Sequence, residues 1–147
     1  MADENSSLRV RLVTPERILF EADATAVELP SKTGYMEVLY GHAPLLAELG
    51  AGDVTIHGAA EESAAGATRF NVNWGFVEVL PNRVTILAAD ALKPEEIDVT
   101  RAEQQLDHGQ KLWKQAGESE EAYEEALRVI SEAEAKIASA GDAPKAH

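Results

Sequence analysis

The side chains of this sequence that could carry chemistry are four histidines and a few clusters of acids. The histidines are dispersed, at positions 42, 57, 108 and 147, and fit no recognised metal-ligand spacing. His42 is the strongest candidate for a general base, but no neighbouring residue orients it, which favours a packing or contact role. Glu95, Glu96 and Asp98 fit the solvated start of a helix better than a catalytic carboxylate pair. The sequence also lacks the P-loop, nucleophile-elbow and zinc-protease motifs. We therefore predict no catalytic residues and no metal site, and the chain is not expected to be an enzyme.

The charge of the chain excludes several classes of partner. Its 147 residues include 13 basic and 26 acidic side chains, which gives a net charge of −13. Nucleic acid and anionic membrane surfaces are both expected to repel such a chain. Because cysteine is absent, neither a disulfide framework nor a thiolate metal site is predicted. The apolar runs are too short to cross a bilayer and Met1–Ser7 lacks the pattern of a signal peptide, so membrane association is expected only through a partner.

The elements that must position these residues change in type near Ala91. Residues 1–90 are rich in β-branched and turn residues, whereas residues 91–147 are rich in Ala, Glu, Leu, Gln and Lys. The pattern predicts an α+β fold with a mostly β head: an N-terminal antiparallel β-sandwich or flattened barrel of about ten short strands, followed by a C-terminal antiparallel two-helix hairpin. Gly58–Ala67 is predicted to be a mobile loop. The predicted strands are Leu8–Leu12, Ile18–Glu21, Thr25–Leu29, Glu37–Tyr40, Leu45–Leu49, Val54–His57, Thr68–Val72, Phe76–Leu80 and Val84–Ala88.

The predicted hairpin has two helices separated by a short break. The first helix starts either at Pro94, which suits a first turn, or at a capping box made by Thr100 and Glu103. Ser119 is the predicted N-cap of the second helix, Gly141 ends it, and the tail from Asp142 is expected to fray. The two apolar stripes recur at helical spacing and consist of Val99, Ala102, Leu106, Gly109 and Trp113, and of Ala122, Ala126, Ile130, Ala133 and Ile137.

Several segments, taken in order, resemble the ε subunit of F-type ATP synthases. The resemblance runs from about Leu8 to Ile137. Each segment is a weak signal alone, and the ordered set is a strong one. The segments are Leu12–Glu16, Leu19–Ala22, Gly41–Leu46, Trp74–Val79, Pro81–Ala88 and Ile97–Ala102, the last of which matches the start of the family's helical hairpin.

The resemblance implies a non-catalytic central-stalk subunit of a proton-translocating ATP synthase. Such a subunit has a sandwich and a hairpin, and it couples the γ subunit to the polar loops of the c-ring. Its hairpin either folds against the sandwich or extends along γ, towards the α and β catalytic subunits, and inhibits ATP hydrolysis. No cofactor is required, and ATP is implied only as a weak regulatory ligand. Because no transit-peptide pattern is present, the expected location is the cytoplasmic face of the bacterial inner membrane, peripheral and within the complex.

Carried over residue by residue, the resemblance implies three sets of site residues. The γ contact falls at His42, and the ATP positions are Ile97, Asp98, Arg101 and Ala102. An arginine can pair with phosphate and a carboxylate can accept from an amine, but Asp98 can equally cap the helix and Arg101 can pair with a nearby acid. A free-standing ATP-sensing protein that uses this motif remains the alternative function. The c-ring contact falls on one segment, made of Tyr35, Met36, Glu37, Val38 and Leu39.

The chain departs from the family pattern at both sites. Family members usually have glycine at the position of Glu37 and proline at that of Tyr40, which changes the rim of the c-ring contact. ATP-binding members carry two arginines where this chain has Glu132 and Lys136, and a glutamate repels a triphosphate. Residues 118–137 hold seven acids against two bases, whereas inhibitory hairpins of the family use basic residues against acidic segments. Inhibition by this hairpin is therefore predicted to be weak.

Overall fold

The computed structural model of the chain describes residues 7–59 and 67–141. The chain forms two compact units, Met1–Ala91 and Leu92–His147. The predicted fold class is confirmed, with a β-sandwich followed by two helices. The described part of the first unit contains eight strands: β1 Leu8–Val13, β2 Ile18–Ala24, β3 Ala26–Ser31, β4 Gly34–Leu39, β5 Leu45–Leu49, β6 Gly52–His57, β7 Ala67–Leu80 and β8 Arg83–Leu92.

The strands follow the order β2-β1-β8-β7-β5-β3-β4, and β6 pairs with both β3 and β7. Most neighbours are antiparallel, but β1 and β8 run parallel, so the expectation of a purely antiparallel sandwich is corrected at this pair. A parallel pair needs a long crossover rather than a hairpin. Here β1 and β8 come from opposite ends of the unit, and the intervening strands form that crossover.

The long strand β7 combines two of the nine predicted strand segments, which leaves the eight strands of the described residues. The predicted strands Thr68–Val72 and Phe76–Leu80 are one continuous strand of 14 residues. Its first half pairs with β6 and its second half with β5. Trp74 and Gly75 join the halves with positive φ angles of 46° and 133°. A Cβ at Gly75 would overlap the carbonyl oxygen of Leu87, so glycine is required where the strand turns the corner.

The core of the β unit is formed by alternating side chains of nearly every strand. The predicted alternation in β1 is confirmed, since Leu8, Val10 and Leu12 have no exposed surface. The rings of Phe20 and Phe70 meet edge to face, with centroids 6.2 Å apart, and link β2 to β7. These contacts give the unit a core of its own, from which the outward side chains project.

The second unit contains a short 3₁₀ turn at Pro94–Glu96 and two helices, α1 Val99–Gln115 and α2 Glu120–Gly141. Both predicted starts of the first helix are wrong, because Asp98 is its N-cap and accepts a hydrogen bond from the Arg101 amide at 3.1 Å. The predicted cap of α2 is present, with Ser119 Oγ accepting from the Ala122 amide at 3.2 Å. The helix contact is lined by small buried residues, which are Ala102, Gly109, Ala126 and Ala133.

Two expectations concern residues that the structure does not describe. The predicted loop Gly58–Ala67 lies largely outside the described residues, and so does the predicted frayed tail from Asp142. Neither helix of the described part is long and apolar enough to cross a membrane.

Candidate docking surfaces

The predicted c-ring contact forms strand β4, at the end of the strand order. Because side chains alternate along a strand, the five predicted residues divide between two faces. Tyr35, Glu37 and Leu39 are exposed, Met36 is partly buried, and Val38 is fully buried in the core. The prediction for Val38 is therefore corrected, since its side chain packs inward and cannot reach a partner.

Tyr35 is exposed and yet held in a defined position. Its ring is 64 % exposed, and its hydroxyl oxygen accepts a hydrogen bond from the Asp53 amide at 2.9 Å. The hydroxyl reaches this amide because Gly52 has no side chain in its path. Asp53 is fixed in turn by Arg69, with Nε and Oδ2 3.5 Å apart. A fixed exposed aromatic ring loses little entropy on binding and is a common anchor of interfaces.

The neighbouring position of β4 is acidic. Glu37 lies directly opposite Glu28 of β3, an arrangement of like charges that destabilises a pair of strands. Glu28 Oε1 lies 3.0 Å from His57 Nε2, which gives one of the two carboxylates a partner on the sheet. The face that carries Tyr35 therefore presents negative charge beside an aromatic ring.

His42, the predicted γ contact, lies in the loop between β4 and β5. Its Nδ1 is 2.7 Å from the carbonyl oxygen of Ala43, and the tautomer that donates here leaves Nε2 as an acceptor. The Gly41 amide donates to the carbonyl oxygen of Pro81 at 2.6 Å. This bond ties the loop to the turn between β7 and β8, and so to the surface of those strands.

An exposed apolar row crosses the outer surface of five strands, and sequence reasoning missed it. Val13 of β1 pairs with Leu87 of β8 and with Ile18 of β2. Counting back from the two-residue turn that joins β7 and β8 places Phe76 opposite Leu87. Ile18, Leu87 and Phe76 are 47 %, 49 % and 50 % exposed, and Leu46 of β5, diagonal to Phe76, is 69 % exposed. We call Ile18, Val13, Leu87, Phe76 and Leu46 the apolar row.

Ion pairs border the apolar row on the outer surface of β1 and β2. Arg11 Nε lies 3.8 Å from Glu21, and Arg9 lies 3.4 Å from Asp23. An apolar strip with a charged rim is the usual composition of a protein interface. The sequence does contain a signal for this surface. Phe76 and Val77 are consecutive apolar residues that point to opposite faces of the strand, and such a pattern is typical of strands covered on both faces.

The predicted ATP positions occupy the start of α1. Ile97 and Ala102 are 9 % and 2 % exposed, so their side chains act in packing. Asp98 caps the helix with one carboxylate oxygen, as the alternative interpretation of this residue proposed. Arg101 is exposed and forms no ion pair within the described residues, so the predicted pairing with an acid is not found there.

The structure brings Arg101 to the same side of the hairpin as Glu132 and Lys136, the two positions of α2 that depart from the family pattern. Arg101 and Gln105 are one turn apart on α1, and Glu132 and Lys136 are one turn apart on α2. Gln105 Nε2 donates to Glu132 Oε2 at 3.1 Å and joins the two pairs. Arg128 Nε lies 4.0 Å from the same carboxylate. Glu132 therefore lies between the cations that could face a phosphate, where it competes for them.

Within the described residues, no group of His, Cys, Asp and Glu is placed to hold a metal ion.

Comparison with known proteins identifies the β unit. Residues 7–94 match the family described as the ATP synthase Delta/Epsilon chain, beta-sandwich domain. The ATP synthase epsilon chain of Koribacter versatilis is 41 % identical over 105 residues, which cover 71 % of this chain and 68 % of the relative. The chloroplastic ATP synthase epsilon chain of Porphyra purpurea is 33 % identical over 141 residues, which cover 91 % of this chain and 96 % of the relative.

A solved structure shares the fold. A chain in the cryo-EM structure of the Euglena gracilis mitochondrial ATP synthase superposes with a TM-score of 0.74 at 18 % identity, over 93 % of this chain and 83 % of that chain. The match covers nearly all of this sequence, and the match to the Porphyra purpurea relative likewise covers 91 % of it. The chain belongs to the ATP synthase epsilon chain family.

Proposed function

We propose that this chain is the central-stalk subunit that couples the γ subunit to the c-ring of a proton-translocating F-type ATP synthase. In this proposal the catalytic sites lie on other subunits, and the chain acts by binding two partners at once. Membership of the epsilon chain family supports the proposal. The single structural observation that carries it is the apolar row, because exposed apolar surface of this extent marks a site that a partner covers.

The apolar row is the proposed γ contact. Ile18, Leu87 and Phe76 lie about half exposed on paired strands, so a partner gains their burial without ordering a loop. Covering a half-exposed Leu, Ile or Phe contributes about 1 kcal/mol, since full burial contributes about 1.5–3 kcal/mol. His42 extends this contact, because its loop is tied to the β7–β8 turn and leads directly into β5.

The face of β4 is the proposed c-ring contact. It belongs to the half of the sandwich built on the first half of β7, whereas the apolar row lies on the second half. Tyr35 supplies the fixed ring. Glu28 and Glu37, which are cross-strand neighbours, favour the polar, basic groups of a c-ring loop. Two chemically different surfaces suit a subunit that must hold two different partners.

The proposal places the chain at the cytoplasmic face of a bacterial membrane, held there through the complex. Bacterial relatives at 41 % identity support that location. ATP is proposed as a weak regulatory ligand at most, because Glu132 occupies the side of the hairpin that carries Arg101.

The γ contact is tested with two matched substitutions. Leu87 and Leu39 are 49 % and 50 % exposed, both lie on strands, and they belong to the two different surfaces. We expect Leu87→Lys to weaken binding of the γ subunit of the same complex at least tenfold, roughly the cost of forcing a charge into an apolar contact. Leu39→Lys is expected to leave that affinity within about twofold. The affinities are measured by biolayer interferometry with the full chain.

The same two variants also show whether the γ contact has been assigned to the wrong surface. Equal affinity of Leu87→Lys and the unchanged chain for γ would remove the apolar row as the contact. Loss of binding in Leu39→Lys alone would move the γ contact to β4. Thermal unfolding of each variant, monitored by circular dichroism, separates a lost contact from a lost fold.

A further inference from the structure

The sheet face that carries the apolar row also carries charged side chains, and most of these are paired within the chain. Arg9 and Arg11 of β1 contact acids of β2 at distances of 3.4, 3.8 and 3.9 Å. Glu48 of β5 lies 3.3 Å from a lysine. Glu78 of β7 and Arg83 of β8 are exposed, and neither side chain forms an ion pair or hydrogen bond within the described residues. We call Glu78 and Arg83 the unpaired charges.

The register of the sheet fixes where the unpaired charges lie. Glu78 follows Phe76 by two residues on the same face of β7, which is about 7 Å along the strand. Arg83 precedes Leu87 by four residues on the same face of β8, which is about 13 Å. Both point towards the turn that joins the two strands, so both unpaired charges lie on the same side of the apolar row.

The neighbouring strands do not compensate the unpaired charges. Arg83 lies directly opposite Arg9, an arrangement of like charges that destabilises a pair of strands. Acids of β2 offset the charge of Arg9 on its other side, whereas Arg83 has the apolar Leu80 as its other neighbour. Glu78 lies opposite Leu46 of β5. The two unpaired charges are diagonal neighbours, but no ion pair joins them, so each is left to a group outside the described chain.

A partner that covers the apolar row also reaches the unpaired charges. The row crosses five strands that are spaced about 4.8 Å apart, so it is about 19 Å long and only one residue wide. A stable interface buries about 800 Å² on each partner, which corresponds to a patch about 28 Å across. A patch of this size centred on the row extends about 14 Å to either side of it. The contact therefore includes both Glu78 and Arg83.

We propose that the γ surface that covers the apolar row carries a carboxylate facing Arg83 and a basic side chain facing Glu78. The inference rests on the proposed function, in which γ covers that row. Contact between apolar surfaces has no direction, whereas two opposite charges in a fixed order set the orientation and register of γ on the sheet. Arg83 suits this role because its guanidinium can hold a carboxylate with two parallel N–H donors.

The signs of the unpaired charges decide among the occupants that this surface could receive. A uniformly acidic or uniformly basic partner is attracted by one of the two charges and repelled by the other. A second copy of this chain could set its own Glu78 against Arg83, but each copy brings a net charge of −13, which opposes association. A different protein with one acid and one base beside an apolar strip satisfies the whole surface.

The test exchanges the two charges and leaves the composition of the chain unchanged. Arg83→Glu with Glu78→Arg keeps the net charge and reverses only the order of the signs. Asp107→Lys with Lys111→Asp makes the same exchange at an exposed ion pair of α1 and is the matched control. Binding of each full chain to the γ subunit of the same complex is measured by biolayer interferometry at about 0.1 M and about 1 M salt. Circular dichroism checks that each variant keeps its fold.

The exchange of Glu78 and Arg83 is expected to weaken γ binding about tenfold at the lower salt concentration, because two attractions become two repulsions. The control exchange is expected to change the affinity by less than about twofold. At 1 M salt the Debye length is about 3 Å, so the loss is expected to shrink to about twofold. Arg83→Gln with Glu78→Gln creates no repulsion and is expected to weaken binding about threefold, which keeps the test valid if the exchanged chain fails to fold.

Three results would overturn the inference and leave the proposed function standing or not, as the Leu87→Lys variant shows. Equal γ binding by the exchanged and the unchanged chain, while Leu87→Lys still weakens it, would remove the charged contact and keep the apolar one. A tenfold loss that persists at 1 M salt would indicate a steric effect instead of a charge effect. A dimer of the unchanged chain that Leu87→Lys abolishes, seen by sedimentation, would assign the surface to a second copy. Absence of γ binding by the unchanged chain would overturn both this inference and the proposed function.

Discussion

At the scale of single residues, Glu132 decides whether the start of α1 can hold a nucleotide. Asp98 is used as a cap and Ile97 and Ala102 are buried, so Arg101 is the one predicted ATP position with an exposed positive charge. Glu132 places a carboxylate on the same side of the hairpin, where it accepts from Gln105. A negative charge at this position opposes a triphosphate, and the neighbouring Arg128 is partly neutralised by it.

Replacing Glu132 by glutamine is expected to strengthen ATP binding about tenfold, because the repulsion of one partly buried charge is removed while the side-chain size is kept. A glutamine can also keep a hydrogen bond with Gln105. Isothermal titration of the full chain with ATP measures the change. Glu134→Gln is the matched control, since Glu134 is exposed and lies on a different side of α2. If both variants gained equally, or neither did, the effect would not come from the position of Glu132.

At the scale of elements, alternation and helical stripes predicted nearly every strand and both helices, and the remaining errors have local physical causes. Thr68–Val72 and Phe76–Leu80 were predicted as separate strands, but the corner at Trp74-Gly75 keeps the strand continuous. No periodicity signals such a corner, since Gly75 is required by a contact with Leu87, a residue of the next strand.

The surface residues were harder to predict than the elements for a similar reason. Val38 was included in the c-ring contact because a resemblance transfers a segment, whereas the pleat of β4 divides that segment between core and surface. The apolar row depends on the registers of β1 with β2 and β8, pairings that join residues far apart in the chain. Single-strand patterns contain no such register.

The hairpin is predicted to inhibit ATP hydrolysis only weakly. Residues 118–137 carry seven acids, and one of the two bases, Arg128, lies 4.0 Å from Glu132. A truncation after Leu92 leaves β8 complete and removes both helices. We expect this truncation to raise the ATP hydrolysis rate of the assembled complex by about twofold or less, since like charges weaken a contact with acidic segments.

The truncation is measured by steady-state ATP hydrolysis of complexes that contain either the full or the truncated chain. A check that the truncated chain still binds γ ensures that the comparison concerns the hairpin and not assembly. An increase of the ATP hydrolysis rate by about tenfold or more on truncation would contradict weak inhibition, because it corresponds to a substantial inhibitory contact.

At the scale of the whole molecule, the β unit presents two surfaces of different chemistry, and the proposed function depends on their simultaneous use. The apolar row includes Phe76 in the second half of β7, and β4 is connected to the first half of β7 through β3 and β6, so paired strands join the two surfaces. A load applied at one surface is therefore transmitted through paired backbone rather than through a loop. Mutations at one surface are expected to leave binding at the other intact.

Tyr35 gives the sharpest test of coupling in the assembled enzyme. Its ring is 64 % exposed and its hydroxyl is fixed on the Asp53 amide, so Tyr35→Ala removes an anchor without opening the core. We expect ATP-driven proton pumping into vesicles to fall by roughly half, as for loss of one anchor of an interface, while ATP hydrolysis and γ binding persist. Tyr35→Phe keeps the ring and removes only the hydrogen bond, so its pumping is expected to stay near that of the unchanged enzyme. Equal pumping by the alanine variant would exclude Tyr35 from the ring contact, and parallel loss of hydrolysis and pumping would show that the substitution impairs assembly instead of coupling.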